Sequence, residues 1–395
     1  METQHSTSYV TGLRFAAFQA RLWIRLARRL TRDAGVAPAV SRIGRYLLRK
    51  SSLTASMPLR LVRHQGHTWA VPDLPPLDGD AFLDSLVREI TCAVDGTTQK
   101  PVTAIVSLTG RCPHHCAYCY VDPVTREAEE PPVDLLTETV LALAELGVFT
   151  FHFSGGEPAL RTEDLVDLLR RVGHPDLCFW MLTTGSGLDA AKLDHLAHAG
   201  LTGVMISLDS HDLTHVNRLK GSPDAFHTAA QTMRGARQAG LLVAVNAVMN
   251  RLLLREEAFS KFIDTAGELG ASFVNCYAPR PQAEALPPEL APFTVDEYRQ
   301  LDRLTRRCNA SGRHRPLAYT PDLWEAIRGC QGGRGFLYID PAGEVRRCPF
   351  LRKSYGNIRE GRLGAILARM QADPAPEVCA GNRMLTDALR TGTLR

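Results

Sequence analysis

The chain has 395 residues, 45% hydrophobic and 22% charged, with a formal net charge of +4. That is the composition of a globular protein, not of a disordered or fibrous one, and no run of roughly 18 apolar residues marks a membrane span. Ten cysteines in a chain whose start, "METQHSTSYV", lacks an apolar secretory stretch argue against a disulfide framework. They point instead to metal or redox chemistry in the cytoplasm.

The charge is uneven. Residues 1–63 hold twelve Lys and Arg against two Asp and Glu, a net of +10, so the remainder is acidic. In "GLRFAAFQARLWIRLARRLTRDAG", Phe15, Phe18, Leu22, Leu26 and Leu30 share one helical face, and Arg21, Arg25, Arg28 and Arg32 flank it. "VSRIGRYLLRK" repeats the theme. A basic amphipathic arm over 1–63 either packs on the rest of the protein or lies on an anionic membrane surface through residues 11–50. Nucleic acid is not an expected partner, because the arm lacks a known motif and interleaved aromatics. Residues 64–100 read as a connecting segment.

From 101 to 285, short β-branched runs alternate with amphipathic stretches. The strands are "TAIVSL" (103–108), "VFTFHF" (148–153), "CFWMLTT" (178–184), "GVMISLD" (203–209), "LLVAVNAV" (241–248) and "SFVNCYA" (272–278). Helices are expected near 133–147, 162–172, 188–199, 223–239 and 258–269. The alternation predicts βαβ units and a parallel sheet, open or rolled into a partial barrel, with reactive residues at the C-terminal strand ends. The Pro- and Ala-rich stretch at 280–292 marks a boundary, a helix follows at 294–309, and "GFLYIDPAGEVRRCPF" predicts a β-hairpin. Residues 286–395 are expected to form a small α+β C-terminal domain.

The first strand runs into "RCPHHCAYCY", where Cys112, Cys116 and Cys119 have C-x3-C-x2-C spacing. A structural zinc site takes four protein ligands, and this cluster offers three. Three thiolates on a [4Fe–4S] cube would leave one iron open to a ligand. The loop, with Tyr118 before its last cysteine, resembles the signature of the radical S-adenosylmethionine (SAM) superfamily. The resemblance implies a partial (β/α)6 barrel whose cluster cleaves SAM to a 5′-deoxyadenosyl radical, fed by an external one-electron reductant. The radical then abstracts hydrogen from the substrate.

Further segments resemble the family in order. "SGGEP" (154–158) supplies Gly155, Gly156 and Glu157, the last expected to accept a bond from the SAM ammonium. "TTGSG" (183–187) resembles its T-N-G turn, with Thr184 in place of Asn. Ser207 and Asp209 in "ISLDS" resemble residues that contact SAM, and Arg218 in "HVNRLKG" stands where relatives hold the SAM carboxylate. Asn246 and Tyr277 are candidates to face the adenosine. No catalytic side chain is assigned beyond these.

Cys330, Gly343 and Cys348, followed by "YGNIREGRL", resemble the opening of SPASM and twitch domains. That implies one auxiliary [4Fe–4S] cluster, with Cys379 as third ligand and Cys308, another residue or the substrate as fourth. Further C-x2-C pairs, which a full SPASM domain has, do not follow. The expected function is hydrogen abstraction from a small-molecule or lipid-like substrate. The alternatives are a peptide-modifying maturase, or a non-enzymatic metal-cluster protein docking through its arm.

Overall fold

The computed structural model describes residues 7–35, 38, 41, 43–44, 60–97, 100–280, 286–311, 315–322, 325 and 329–374. Cys379 and most of residues 36–59, with the second basic stretch, lie outside them.

The N-terminal region is a small layer of its own. Strand β1 (Ser8–Val10) precedes helix α1 (Gly12–Ala34), strands β2 (Leu61–His64) and β3 (His67–Trp69), and helix α2 (Asp80–Asp95). β1, β2 and β3 form an antiparallel sheet. The β2–β3 turn is two residues long, with Gln65 at φ 47° and Gly66 at φ 84°, the left-handed pair that a tight hairpin needs. The apolar face of α1 is covered by protein. Leu26 and Leu30 pack with Leu83 and Ile90 of α2, and Phe15, Phe18 and Leu22 pack around Leu61, Leu77 and Phe82. Arg25 pairs with Asp80 at 3.2 Å and Arg29 with Asp84 at 2.5 Å. Among the described residues of this helix, the large apolar side chains left exposed are Leu13, Trp23 and Ile24. Among the described residues no helix is long and apolar enough to cross a membrane.

The central region follows the expected alternation. It runs β4 (Thr103–Thr109), α3 (Val133–Glu145), β5 (Thr150–Gly155), α4 (Thr162–Val172), β6 (Cys178–Thr183), α5 (Ala190–His198) and β7 (Gly203–Ser207). Then come α6 (Leu213–Lys220), α7 (Ala225–Gln238), β8 (Leu242–Val248), α8 (Glu256–Glu268) and β9 (Phe273–Tyr277). β4 to β9 pair in sequence order, all parallel. Successive side chains alternate between the two faces of each strand. Outward residues such as Phe151, Phe153, Phe179 and Met181 pack under the helices. Inward residues Trp180, Met205, Leu242 and Phe273 meet Val62 and Trp69 of the hairpin and close the N-terminal end of the barrel. Trp69 and Trp180 meet edge to face at 5.9 Å.

After α9 (Val295–Ala310) come β10 (Leu317–Tyr319), β11 (Phe336–Ile339), β12 (Glu344–Arg346), β13 (Ser354–Asn357) and α10 (Leu363–Ala372). The sheet runs through the boundary expected at 286. β10 adds in parallel to β9, and β11 adds in parallel to β4, so ten strands follow the order β10-β9-β8-β7-β6-β5-β4-β11-β12-β13. Both edges of the six-strand unit are thereby hydrogen-bonded, which removes exposed strand edges. Tyr298, Leu301 and Leu304 of α9 join the same core as the barrel helices.

Candidate functional site

The cysteine loop leaves the C-terminal end of β4 and is braced from three sides. Backbone N–H groups of His115 and Ala117 donate to the carbonyls of Lys220 and Leu219 at the end of α6, at 3.1 and 3.0 Å. His114 Nε2 lies 2.6 Å from Ser186 Oγ in the turn after β6. The third brace is the SGGEP segment. Gly156 N–H donates to the Thr109 carbonyl at 2.7 Å, and Glu157 N–H donates to that of Arg111 at 2.8 Å. A Cβ on Gly156 would stand 2.1 Å from the Arg111 oxygen, and one on Gly155, whose φ is 134°, would stand 2.2 Å from the Thr109 oxygen. The paired glycines therefore let β5 press against the root of the cysteine loop.

Glu157 is fully buried. Its carboxylate accepts from Ala159 N–H at 3.1 Å, Thr183 Oγ1 at 2.5 Å, and Thr184 N–H and Oγ1 at 2.8 and 2.5 Å. Burial pushes its pKa up, and these hydrogen bonds oppose the shift. Thr184, which departs from the family's Asn, is thus one of the two residues whose side chains donate to Glu157.

Lys220 is a site residue that the sequence reading passed over. Its ammonium is buried, donates to Ser207 Oγ and to the Tyr118 hydroxyl, and lies 3.0 Å from Asp209 Oδ2. Tyr118 donates to the same carboxylate, and Asp209 Oδ1 accepts from Val248 N–H at 2.9 Å. Burial first, and then the Asp209 charge, push the Tyr118 hydroxyl well up. Arg218 is placed elsewhere. It is half exposed and pairs with Glu289, outside the cavity lining. The two residues are two positions apart on α6 and so face opposite ways. Val216, Leu219 and Lys220 are buried at i, i+3 and i+4, and that apolar spacing is the signal that could have found Lys220.

These groups surround a cavity of about 560 Å³. Cys112, Cys116, Cys119 and Cys348 line it, with Tyr118, Gly155, Gly156, Thr184, Ser207, Lys220, Asn246 and Tyr277. Asp209 and Glu157 stand behind this wall. Phe15, Phe18 and Leu22 of α1 extend the lining on an apolar side.

The donor chemistry fits iron–sulfur clusters. Cys112 Sγ accepts from His114 N–H at 3.4 Å, and Cys348 Sγ accepts from Phe350 N–H at 3.2 Å. Such N–H···S bonds stabilise sulfur that carries negative charge and tune cluster potential. Burial pushes the Cys116 thiol up to about 12, and nearby Lys220 pulls the other way. Ligation therefore requires deprotonation. Among the described residues no three His, Cys, Asp or Glu side chains are grouped for a single metal ion. Cys330 is buried in the loop that packs on Cys348; a Cβ on Gly332 would sit 3.3 Å from Cys348 Cβ. Cys308 is placed apart. It is buried in the helix-side core, with its sulfur toward the Pro316 carbonyl.

The partial barrel, the three-thiol loop at its C-terminal end and the buried polar wall define a cluster-bearing α/β enzyme. Residues 106–269 match the model of the radical SAM superfamily. The chain is 30% identical over 314 residues to the PqqA peptide cyclase of Granulibacter bethesdensis, covering 72% of this chain and 80% of that protein. It is 33% identical over 263 residues to the PqqA peptide cyclase of Bradyrhizobium diazoefficiens, covering 63% and 66%. The fold is similar to that of Streptococcus suis SuiB bound to precursor peptide SuiA, at TM-score 0.56 and 15% identity over 91% of this chain and 81% of that one. The chain belongs to the radical SAM superfamily. It is an enzyme, and its cofactors are a [4Fe–4S] cluster and SAM.

Proposed function

We propose that the protein is a peptide-modifying radical SAM enzyme. The observation that carries this reading is the 30% identity to a PqqA peptide cyclase across 80% of that protein's length. It reverses the order of the sequence expectation, which put a small-molecule or lipid-like substrate first. In this reading residues 101–285 are the SAM-cleaving barrel, 286–395 are a twitch-like extension, and Cys112, Cys116 and Cys119 hold the cluster. Bound there, the cluster would supply the electron for reductive SAM cleavage.

The chain's own residues position and shield. Gly155 and Gly156 fix the cysteine loop, Thr183 and Thr184 orient Glu157, and Ser207, Tyr118 and Asp209 hold Lys220 as a buried cation at the cavity wall. Lys220 lines the cavity and Arg218 does not, so Lys220 is the better-placed cation for the SAM carboxylate, exchanging one of its three present partners to bind it. Cys330 and Cys348, with Cys379, are the proposed ligands of one auxiliary cluster, and the core position of Cys308 argues against it as the fourth. A second reading, an apolar small-molecule substrate, is favoured by the α1 side chains in the lining. Its partner proposal, peripheral membrane contact through residues 11–50, is weakened because protein covers the apolar face of α1.

The test is turnover of reconstituted protein with SAM, a strong reductant and a panel of synthetic peptides, read by mass spectrometry. A peptide that loses two hydrogens while 5′-deoxyadenosine forms supports the reading. Vigorous SAM cleavage with every peptide unchanged, and an alkyl substrate consumed instead, would overturn it.

A further inference from the structure

Two further titratable groups, Asp73 and His152, line the cavity. Asp73 follows β3, and His152 faces inward from the middle of β5, in register with Ile105 and Trp180. His152 Nε2 lies 3.8 Å from Asp73 Oδ1. Burial pushes the imidazole down to about 3, so it is neutral at pH 7 and is no counter-ion. The ring is also hydrogen-bonded to the backbone of Pro72. Proline has no N–H, so the imidazole must donate to its carbonyl. Nε2 is then a bare acceptor, and it is buried with no hydrogen-bond partner among the described residues.

Asp73 is an acceptor too. Among the described residues no N–H or O–H is within hydrogen-bond reach of its carboxylate, though its backbone carbonyl accepts from Thr103. Burial raises its pKa to about 6, and no cation offsets that shift. At pH 7.5 it is therefore mainly ionised. Tyr277 of β9 interacts with it, with Tyr319, Asp322 and Arg280 near Tyr277 in turn, and burial and the Asp73 charge hold the Tyr277 phenol protonated. The same cavity lining includes the apolar side chains of Leu74, Ile105, Leu182, Met205 and Phe336. One carboxylate, about one-third accessible, and one buried lone pair thus face each other at the cavity wall, and a ligand that displaces water from them must bring a donor.

We infer that the Asp73–His152 pair binds a primary ammonium on an aliphatic stem, the chemistry of a lysine side chain or of a free alkyl amine. The ammonium has three N–H donors, enough for the carboxylate and Nε2 together, and no acceptor of its own. The stem replaces water along the apolar lining. The inference rests on the proposed function only in taking this cavity for the substrate's place.

The experiment is a ligand-observed NMR titration of the full-length protein, without turnover. The probes are n-hexylamine, n-hexanol and Nα-acetyl-lysine N-methylamide, tested on wild type, Asp73→Asn and His152→Phe. At pH 7.5 the wild type should bind one or both amines about tenfold more tightly than the alcohol, as expected for a charge-assisted bond to a partly shielded carboxylate. Asp73→Asn should abolish that preference, and His152→Phe should reduce it about threefold, because the ammonium loses a charge-assisted bond and the alcohol only a neutral one. In wild type the preference should fade as pH drops through about 6 and Asp73 protonates, while the amines stay charged. This arm stands even if a variant misfolds. Lysine amide bound without hexylamine assigns a peptide lysine, and the converse assigns a free amine. Equal binding of amine and alcohol to wild type, or a preference that survives Asp73→Asn, overturns the inference. A protein that modifies no peptide but keeps the preference refutes the peptide reading alone. One that modifies peptides yet shows no preference refutes this inference alone.

Discussion

At the N-terminal ends of β4–β9 the inward positions include Trp180, Met205, Leu242 and Phe273, met by Val62 and Trp69 of the N-terminal hairpin. Further along the same strands the inward positions are Thr184, Ser207 and Asn246, which line the cavity. One alternation therefore serves two purposes. The lower turns of the barrel hold it together by burying aromatic and aliphatic area, and the upper turns present polar groups to a ligand. Substitutions at the two ends should accordingly fail in different ways.

The largest stability effect belongs to the lower end. Trp180→Ala should cost about 3–5 kcal/mol, as for other fully buried aromatics. Chemical denaturation measures it, and a cost below about 1 kcal/mol would show that the hairpin plug is not what closes the barrel. At the upper end, Gly156→Ala should force the 109–111 backbone away from β5 and cost about 1–3 kcal/mol. Its more telling readout is iron bound on reconstitution, which should fall while the far-ultraviolet spectrum stays that of wild type. Lys220→Met should weaken SAM binding by about 1.5–3 kcal/mol, the worth of a hydrogen bond to a charged group. Arg218→Met should shift it less than about twofold, because that side chain is paired at the surface. Calorimetric titration of SAM into the two variants separates these outcomes, and the reverse ranking would return Arg218 to the site.

One effect has the opposite sign. The Asp73 carboxyl has a folded-state pKa of about 6, above its ordinary 3.8. The native state therefore binds the proton more tightly than the unfolded chain does, and stability falls as pH rises from about 4 to 6. Asp73→Asn should gain on the order of 1–2 kcal/mol at pH 7.5, discounted because the group faces the cavity, and nothing below pH 4. Denaturation midpoints at the two pH values measure this.

The six parallel strands were legible because each is a short apolar run beside an amphipathic helix, and the three-cysteine loop was legible because its spacing is local. The N-terminal sheet was not, because Ser8–Val10 pairs with Leu61–His64 across a long stretch of chain and carries no alternation of its own. Nor was the place of β11. Its pairing with Thr103–Val106 joins segments more than 200 residues apart, and a hairpin signature says nothing of which edge it will meet. Glu157 was singled out by its motif, but its surroundings were not legible. The two Thr side chains that saturate it come from another strand end. The cavity position of Lys220 was not legible because likeness to relatives drew attention to Arg218, while the helical spacing of Val216 and Leu219 pointed to the buried face.

The most direct measurement is iron and sulfide per chain on anaerobically reconstituted wild type and on a Cys112→Ala/Cys116→Ala/Cys119→Ala variant, with 5′-deoxyadenosine assayed in the same samples. At about four irons per cube, the account predicts about eight in wild type, falling to about four in the variant with SAM cleavage abolished. A variant that keeps the wild-type iron and still forms 5′-deoxyadenosine would contradict the assignment of the cluster to the 112–119 loop.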